Sequence, residues 1–512
     1  MALPLAFLGI IYLLVSYVGY LVLQSVLTKR HNARRARELK CLDPPALPST
    51  SHPRYRPSQD RPSSRQEQGV PRRVGTASGP GWRADVHVLD NGVDDDFHFC
   101  HPRDTVQRLR HRPQRRRNFF PLLGNGIFTQ DGAGWEHSRT MMRPQFARDQ
   151  VSDLDLEEQH VQNLMRAIVP NANGWTDTID LQVLFFRLTL DSATEFLFGE
   201  SVDSQLVGLP GYVKDSSRDA SEDGDVVVAA FDKGQSVLAT RSRMQGLYWL
   251  YNPSDFKKSC TDCHAFIDHF VRLALSKDLP SAAEKSAPAD AEKGKKEKYV
   301  FLEALAAETR DPIELRSQML NILLAGRDTT ASLIGWVFYS LARDPVRYAK
   351  LRNIILEEFG TYSQPRDITF ARLKSCQYLQ YVNNEALRLY PVARGGPDGK
   401  SPIFIPKGRA CDYSVFVMHR RKDLWGADAD EFIPERWEKR RVGWDFLPFN
   451  GGPRICIGQQ FALTEASYVI VRLLQRFDAV ENQDFSSKAL HNLTLTSCSG
   501  TGVVVKLHAA EE

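Results

Sequence analysis

Cys456 stands in the stretch Phe449–Gly458, FNGGPRICIG, with Arg454 two residues before it and Gly458 two after. A long apolar helix pattern, QQFALTEASYVIVRLLQRF, follows at once. This arrangement delivers a thiolate from a tight loop at a helix N-terminus, where aligned backbone amides stabilise anionic sulfur. Gly451, Gly452 and Gly458 let a flat ring approach the backbone closely. Arg454 can reach an anionic ring substituent with a fixed, forked geometry. The ligand most consistent with these residues is haem iron held by one axial sulfur, a ligation that favours O–O cleavage. A lone cysteine beside a turn is more often structural; it is the surrounding glycines and arginine that turn the reading.

Three other groups carry chemistry. In AGRDTTA, 325–331, Ala325 and Gly326 remove side-chain bulk, so something large can lie against the helix. Asp328 and Thr329 are polar groups in an apolar stretch, where an unsatisfied group is costly. A threonine hydroxyl there can bond back to a carbonyl one turn earlier. In WEHSR, Trp135 and Arg139 lie on one helix face, so an indole N–H and a guanidinium can reach one carboxylate. In YLQYVNNEALRLYP, Glu385 and Arg388 also share a face.

The stretch around Cys456 resembles the cysteine-ligand signature of the cytochrome P-450 monooxygenases at Phe449, Gly452, Arg454, Cys456 and Gly458. Its wording, with TIDLQVLFFRLTLDSATEFLFGE and LTLTSCSG elsewhere, is similar to the fungal n-alkane- and fatty-acid-hydroxylating branch. The resemblance implies a mainly α fold with small β-sheets, preceded by one transmembrane helix, and a haem b (iron-protoporphyrin IX) cofactor. It makes Cys456 the iron ligand and puts Phe449 near the sulfur. It assigns Trp135, Arg139 and Arg454 to haem propionates, and Ala325 and Gly326 to the face over the haem. Thr329 would steer protons to the oxygen pocket and Asp328 would feed that relay. Thr330 would be structural. Glu385 and Arg388 would form a buried pair completed by Arg436, in FIPERW, that braces the cysteine loop.

These residues need elements to position them. The pattern predicts a helix of about 32 residues from Asp311 to Asp344-Pro345, with Asp311 as cap, Pro312 in the first turn and Glu314 at capping-box spacing. Such a long, mostly apolar helix must cross the core. From Asp153 onward amphipathic helix pattern dominates. The charged stretch 281–298 reads as a surface loop.

A chain of 512 residues, 42% apolar, can bury one large core or two ordinary ones. A net charge of +4 gives no global pointer to nucleic acid. Of the eight cysteines, Cys260 and Cys263 form the one CxxC, which without a partner pair reads as incidental. Residues 3–27 carry no charge and would span roughly 37 Å as a helix. The basic cluster TKRHNARRARELK follows, the order of a signal anchor with its large domain on the cytosolic side. Three parts are expected: an anchor over 1–28, a basic linker and anomalous low-order segment over 29–114, and a haem-binding monooxygenase domain over 115–512. Residues 42–112 are rich in Pro, Ser, Arg and Gly, show no strand or helix pattern, and depart from the family. After Pro391 about fifteen residues of the family's small sheet are missing, the second departure.

The resemblance implies hydroxylation of long-chain n-alkanes or fatty acids at or near the terminal carbon, using O2. Phe119, Phe120, Leu122, Leu123, Leu324, Leu493 and Leu495 are apolar candidates to line such a site. No dinucleotide or flavin motif is present, so electrons arrive from elsewhere; the resemblance implies an NADPH-dependent cytochrome P-450 reductase as the donor, with NADPH acting only through it. The basic run His419, Arg420, Arg421 and Lys422 is a candidate surface for that partner. The other expected partners are the lipid bilayer, at the endoplasmic reticulum, and the apolar substrate. The alternative is a catalytically impaired or non-catalytic membrane haem protein, left by a damaged gene or gene model.

Overall fold

The computed structural model describes residues 12, 15–28, 30–31, 34, 86–88, 113–147, 154–209, 212, 224–277, 299–390, 403–405, 414–486 and 488–511. Two compact units divide the chain. One consists of residues 1–109, 395–412 and 452–454. In it residues 15–28 are helical, and Tyr17, Val18, Leu23 and Leu27 are exposed. Among the described residues no helix is long and apolar enough to cross a membrane. The expected span over 3–27 lies partly outside them. Val86–Val88 pairs in parallel with Ile403–Ile405. A strand therefore lies inside 42–112, where the composition predicts none. The short β-branched alternation Val-His-Val is its signal. Most of that segment, and residues 391–402 where strands are expected to be missing, lie outside the described residues.

The other unit is mainly helical. Among the described residues its α-helices of six residues or more are α1 (Pro113–Leu123), α2 (Gly132–Met142), α3 (Leu154–Ala167), α4 (Leu181–Phe198), α5 (Gly224–Met244), α6 (Ser254–Ser276), α7 (Phe301–Ala306), α8 (Pro312–Leu341), α9 (Pro345–Phe359), α10 (Phe370–Ser375), α11 (Gln377–Leu389) and α12 (Gln459–Arg476), and single helical turns span Val415–Met418 and Lys422–Trp425. Five short strands complete it: β1 (Ile179–Asp180), β2 (Phe477–Asn482), β3 (His491–Leu493), β4 (Ser497–Ser499) and β5 (Val504–Ala509). β5 runs antiparallel between β1 and β2, and β3 pairs with β4 as a hairpin.

Helix α8 organises this unit. Asp311 accepts a hydrogen bond from the Ile313 N–H at 2.9 Å, and Pro312 opens the first turn. Glu314 does not close a capping box: its carboxylate accepts from the Thr309 hydroxyl at 2.8 Å and meets His137 at 2.8 Å. Two tertiary partners outcompete the single backbone N–H. Residues Leu315 to Leu324 of α8 belong to one hydrophobic cluster, with α4, α5 and α6, and Ala331 to Ala342 to another, with α4, α9 and α12. The motif 325–330 sits at the seam between the two cores.

The second organiser is buried charge. Glu385 and Arg388 of α11 are 0% exposed and paired twice, at 2.9 and 2.7 Å. Glu385 also accepts from Arg436 Nε at 2.8 Å, Trp437 Nε1 at 2.9 Å and the Ile433 N–H at 2.9 Å. Arg388 donates onward to the carbonyls of His419, Ala429 and Glu431. A fully buried pair is tolerable only when its remaining donors and acceptors are met, as here. Glu385→Ala would leave the buried Arg388 guanidinium without its counter-charge and Arg436 with Asp428 alone, at 3.4 Å. Urea unfolding followed by circular dichroism is expected to show a loss of about 3–5 kcal/mol; a loss under 1 kcal/mol would contradict this account.

Candidate functional site

The loop before α12 is shaped by close packing. Asn450 adopts a left-handed φ of 64°, and a Cβ on Gly451 would lie 2.8 Å from the Trp444 ring, so only glycine fits there. The Cys456 N–H donates to the Phe449 carbonyl at 2.9 Å, closing the loop. Beyond it, Phe461 in the first turn of α12 packs on Phe196, which meets Phe146 and Phe301. Gly452 and Arg454 form a short 3-10 turn that belongs to the other unit.

Cys456 is solvent-accessible yet otherwise walled in by protein, as a side chain lining a concave surface is. Burial pushes its thiol up, opposed by the Gly458 N–H and by the Arg139 charge. The helix-terminal amides thus do not by themselves make a thiolate, as the sequence argument expects; desolvation outweighs them. A cation coordinated at the sulfur would reverse the balance. Arg139 of α2 donates to the Ile455 carbonyl at 3.0 Å and lies over the Trp135 ring, 5.8 Å from its centroid. It therefore holds the cysteine loop directly.

From Ser317 to Leu341 of α8, only Ala325, Gly326 and Thr329 are not buried. They form one accessible stripe on an otherwise enclosed helix. A Cβ on Gly326 would meet nothing nearer than Ala193 Cβ at 3.8 Å, so the protein itself does not require glycine there. The Thr329 hydroxyl donates to the Ala325 carbonyl at 2.6 Å. Asp328 points the other way and is buried. Burial raises its pKa, with the Arg327 charge, 3.5 Å away, pulling it down and Asp232 pushing it up.

Arg327, Asp232 and Gln235 were not singled out by sequence reasoning. The Arg327 guanidinium is bidentate on Asp232 of α5, and Gln235 of α5 bonds Asp328. An arginine inside an apolar helix is the available signal; its partner, 95 residues away, has none.

Among the apolar candidates, Phe119, Leu122, Leu123 and Leu324 sit in one cluster, and Leu495 packs against it. Leu122 and Leu123 are fully enclosed. Phe120 and Leu493 are exposed. Cys260 and Cys263 lie on the buried face of α6, their thiols pushed up to about 11 and about 12 by burial.

The basic run 419–422 is not the charged face that its sequence suggests. His419 is 0% exposed, and burial lowers its pKa to about 3. Its neutral ring accepts from the Leu447 N–H at 3.0 Å, so the other nitrogen carries the proton and faces the Arg388 carbonyl at 3.2 Å. Arg420 lies over the Phe416 ring at 3.9 Å, and Arg421 pairs with Asp423. Of the four, Lys422 alone is exposed.

The sequence profile described as Cytochrome P450 matches residues 103–497. The chain belongs to the cytochrome P450 family. Cytochrome P450 monooxygenase g430 of Fusarium sp is 52% identical to it, covering 97% of this chain and 90% of its own. Cytochrome P450 52A5 of Candida maltosa and cytochrome P450 52A1 of Candida tropicalis are each 48% identical over 76% of this chain, and 75% and 73% of theirs. Membership of the P450 family implies a haem-thiolate cofactor and a redox partner. The residues present fit that cofactor: one accessible sulfur supplies one coordination position, and the helix stripe 325, 326 and 329 leaves room for a broad flat group.

His419 has its own signature. Its folded pKa lies below the unfolded value near 6.5, so the folded state binds fewer protons and loses stability as pH falls from about 6.5 toward about 3. Between pH 6.5 and 5 the P450 is expected to lose up to about 1.4 kcal/mol per pH unit from this group. In His419→Gln, denaturant midpoints should fall less steeply over that window; an unchanged slope would contradict the assignment.

Proposed function

We propose that this cytochrome P450 hydroxylates long-chain n-alkanes or fatty acids at or near the terminal carbon. The observation that carries the reading is the accessible pair of features on a buried framework, the Cys456 sulfur and the stripe Ala325, Gly326 and Thr329. The substrate class rests on the likeness to the fungal alkane- and fatty-acid-hydroxylating branch. It also rests on the apolar character of Phe119, Leu324 and Leu495.

Cys456 would hold haem b through its sulfur, Phe449, Gly458, Trp135 and Arg139 would lie around the group, and the family resemblance assigns Arg454 to it as well. When bound, haem supplies the oxygen activation that no amino-acid side chain provides. Arg139 steadies the Cys456 loop through Ile455. Ala325 and Gly326 keep side chains out of the reaction space. Asp328, whose pKa burial raises, takes up a proton more readily than an exposed carboxylate, and Thr329 presents a hydroxyl at the accessible surface to pass one on. Electrons come from a separate NADPH-dependent reductase. The chain sits in the endoplasmic reticulum membrane by one N-terminal helix with its catalytic domain cytosolic. The apolar run 3–27, the basic residues after it, and the exposed apolar side chains of the helix 15–28 support this placement.

Two measurements test the reading. Reduced membranes exposed to carbon monoxide should show the thiolate-type absorption band, and Cys456→Ser should abolish it; survival of the band would remove Cys456 as ligand. With reductase supplied, ω-hydroxy fatty acid, NADPH use and hydrogen peroxide are measured together. Thr329→Ala should keep haem content but cut product by a factor within about 10²–10⁴ and divert electrons to peroxide. A wild type that binds haem but oxidises no alkane or fatty acid would overturn the substrate class.

A further inference from the structure

A serine or threonine inside a helix commonly bonds back to a carbonyl one turn earlier. On α8 Ser317 does so to Ile313 at 2.7 Å, Thr329 to Ala325 at 2.6 Å and Ser340 to Trp336 at 2.8 Å. Ser332 departs from that habit. Its hydroxyl reaches out of the helix and donates to the Ser497 carbonyl of β4. The Trp336 indole N–H, one turn further on, donates to the same carbonyl at 3.3 Å. Both side chains are buried.

The hairpin β3–β4 explains why that carbonyl is on offer. The Thr494 N–H donates to the Thr496 carbonyl at 2.9 Å, and the Gly500 N–H to the Leu490 carbonyl at 2.8 Å. Even-numbered residues therefore face across the hairpin, and the carbonyls of Leu493, Ser497 and Ser499 point outward. Among the described residues no third strand pairs with either edge. Side chains serve the outward carbonyls instead. Ser332 and Trp336 take Ser497, Gln182 of α4 takes Ser499 at 3.1 Å, and Arg243 of α5 takes Leu493 near the tip. Trp336 is itself held in place. It stacks on Tyr390 with ring centroids 3.8 Å apart and planes 5° from parallel, and it meets the Tyr339 and His491 rings at 5.1 Å.

Placement matters as much as bonding. Ala325, Gly326 and Thr329 form the accessible stripe of α8, and Ser332, three residues beyond Thr329, is the next position on that face. It is buried where β4 meets the helix. The hairpin is therefore what ends the stripe. From there its tip sends Leu495 onto the cluster that holds Phe119 and Leu324, and leaves Leu493 exposed.

We propose that Ser332 is a specificity-determining positioning residue: by pinning the Ser497 carbonyl it fixes how far the β3–β4 hairpin closes the end of the stripe, and so which carbon of a bound apolar chain stops beside Thr329. A chain lying along the stripe meets the hairpin as an end wall. With the wall pinned, the chain halts with its last carbons beside Thr329. With the wall slack, the chain overruns and inner carbons take that place. The end-wall role rests on the alkane and fatty-acid reading, whereas the pin does not. Ser332 rather than Trp336 is the residue to vary, because deleting an enclosed indole opens a cavity whose cost exceeds that of one hydrogen bond.

The test uses the full-length, haem-loaded protein in detergent with reductase supplied, as wild type, Ser332→Ala, Ser332→Cys and Ser317→Ala. Cysteine is close in size to serine but a weak donor, and Ser317 is a control hydroxyl that bonds within its own helix. Amide hydrogen exchange is followed over residues 491–499. Loss of one hydrogen bond should speed it by roughly twofold to tenfold in Ser332→Ala and by less in Ser332→Cys, with no change in Ser317→Ala. Products from a saturated fatty acid and from the n-alkane of equal length are then resolved by the carbon hydroxylated. Both Ser332 variants should move product from terminal toward sub-terminal carbons, Ser332→Ala the further, with haem content and the thiolate-type carbon monoxide band unchanged. Ser317→Ala should keep the wild-type pattern. If Ser332→Ala fails to fold, Ser332→Cys decides; failure of both would overturn the proposal, since the hydroxyl would then serve folding itself. Unchanged exchange in both variants would overturn the pin. Faster exchange with an unchanged product pattern would leave Ser332 a structural residue and overturn its part in specificity. A wild type that binds haem but oxidises neither substrate would sink the alkane and fatty-acid reading and the end-wall role with it, while exchange still decides the pin.

Discussion

The buried contact between Glu385 and Arg388 is the constraint on which the cysteine loop depends. Arg388 spends its donors on the carbonyls of His419, Ala429 and Glu431, while Glu385 collects Arg436, Trp437 and the Ile433 N–H. The chain from 414 to 438, which has only short helical turns of its own, is thereby fixed without a sheet or long helix to hold it. His419 carries the constraint onward: its ring accepts from Leu447, two residues before Phe449, whose carbonyl takes the Cys456 N–H. A carboxylate on α11 and a sulfur in the next loop are thus joined by a short series of obligatory bonds between buried groups. Each would be expensive to leave unmet. Lengthening any one of them would move the sulfur.

The long helix α8 contributes a different kind of control. Apolar burial before 325 belongs to one core and after 330 to the other. Chemistry-bearing residues concentrate where the two cores part, because only there can polar atoms reach partners or solvent. Arg327 and Asp328 turn toward α5, Thr330 toward α12, and Ala325, Gly326 and Thr329 to the accessible side. One turn of helix therefore serves three directions, which a helix of 3.6 residues per turn permits without distorting the backbone.

How much of this was legible in the sequence varies by the range of the interaction. The long helix, its Asp311 cap and the face shared by Glu385 and Arg388 follow from local spacing and hold in the structure. Local rules failed where a distant partner competed. Glu314 chose Thr309 and His137 over the capping box, and His419 left the surface to serve Leu447 and Arg388. A run of four basic residues reads as a charged face only if all four reach water, and the burial of His419 and the partial cover of Arg420 are decided by Arg388 and Phe416, which no spacing rule connects to them. The strand Val86–Val88 escaped notice because its partner, Ile403–Ile405, lies more than three hundred residues away.

The cysteine illustrates why the site is built this way. A thiolate held ready by the protein alone would be reactive toward oxidants and stray metals. Here desolvation outweighs the Gly458 N–H and Arg139 and disfavours the thiolate, and a metal bound at the sulfur would reverse that balance. The same protein walls that disfavour a free Cys456 thiolate would strengthen a bond formed there, once the bound group displaced the water that reaches the sulfur. Electrostatics that look unfavourable in the protein alone are thus what suit it to a preformed, charged partner.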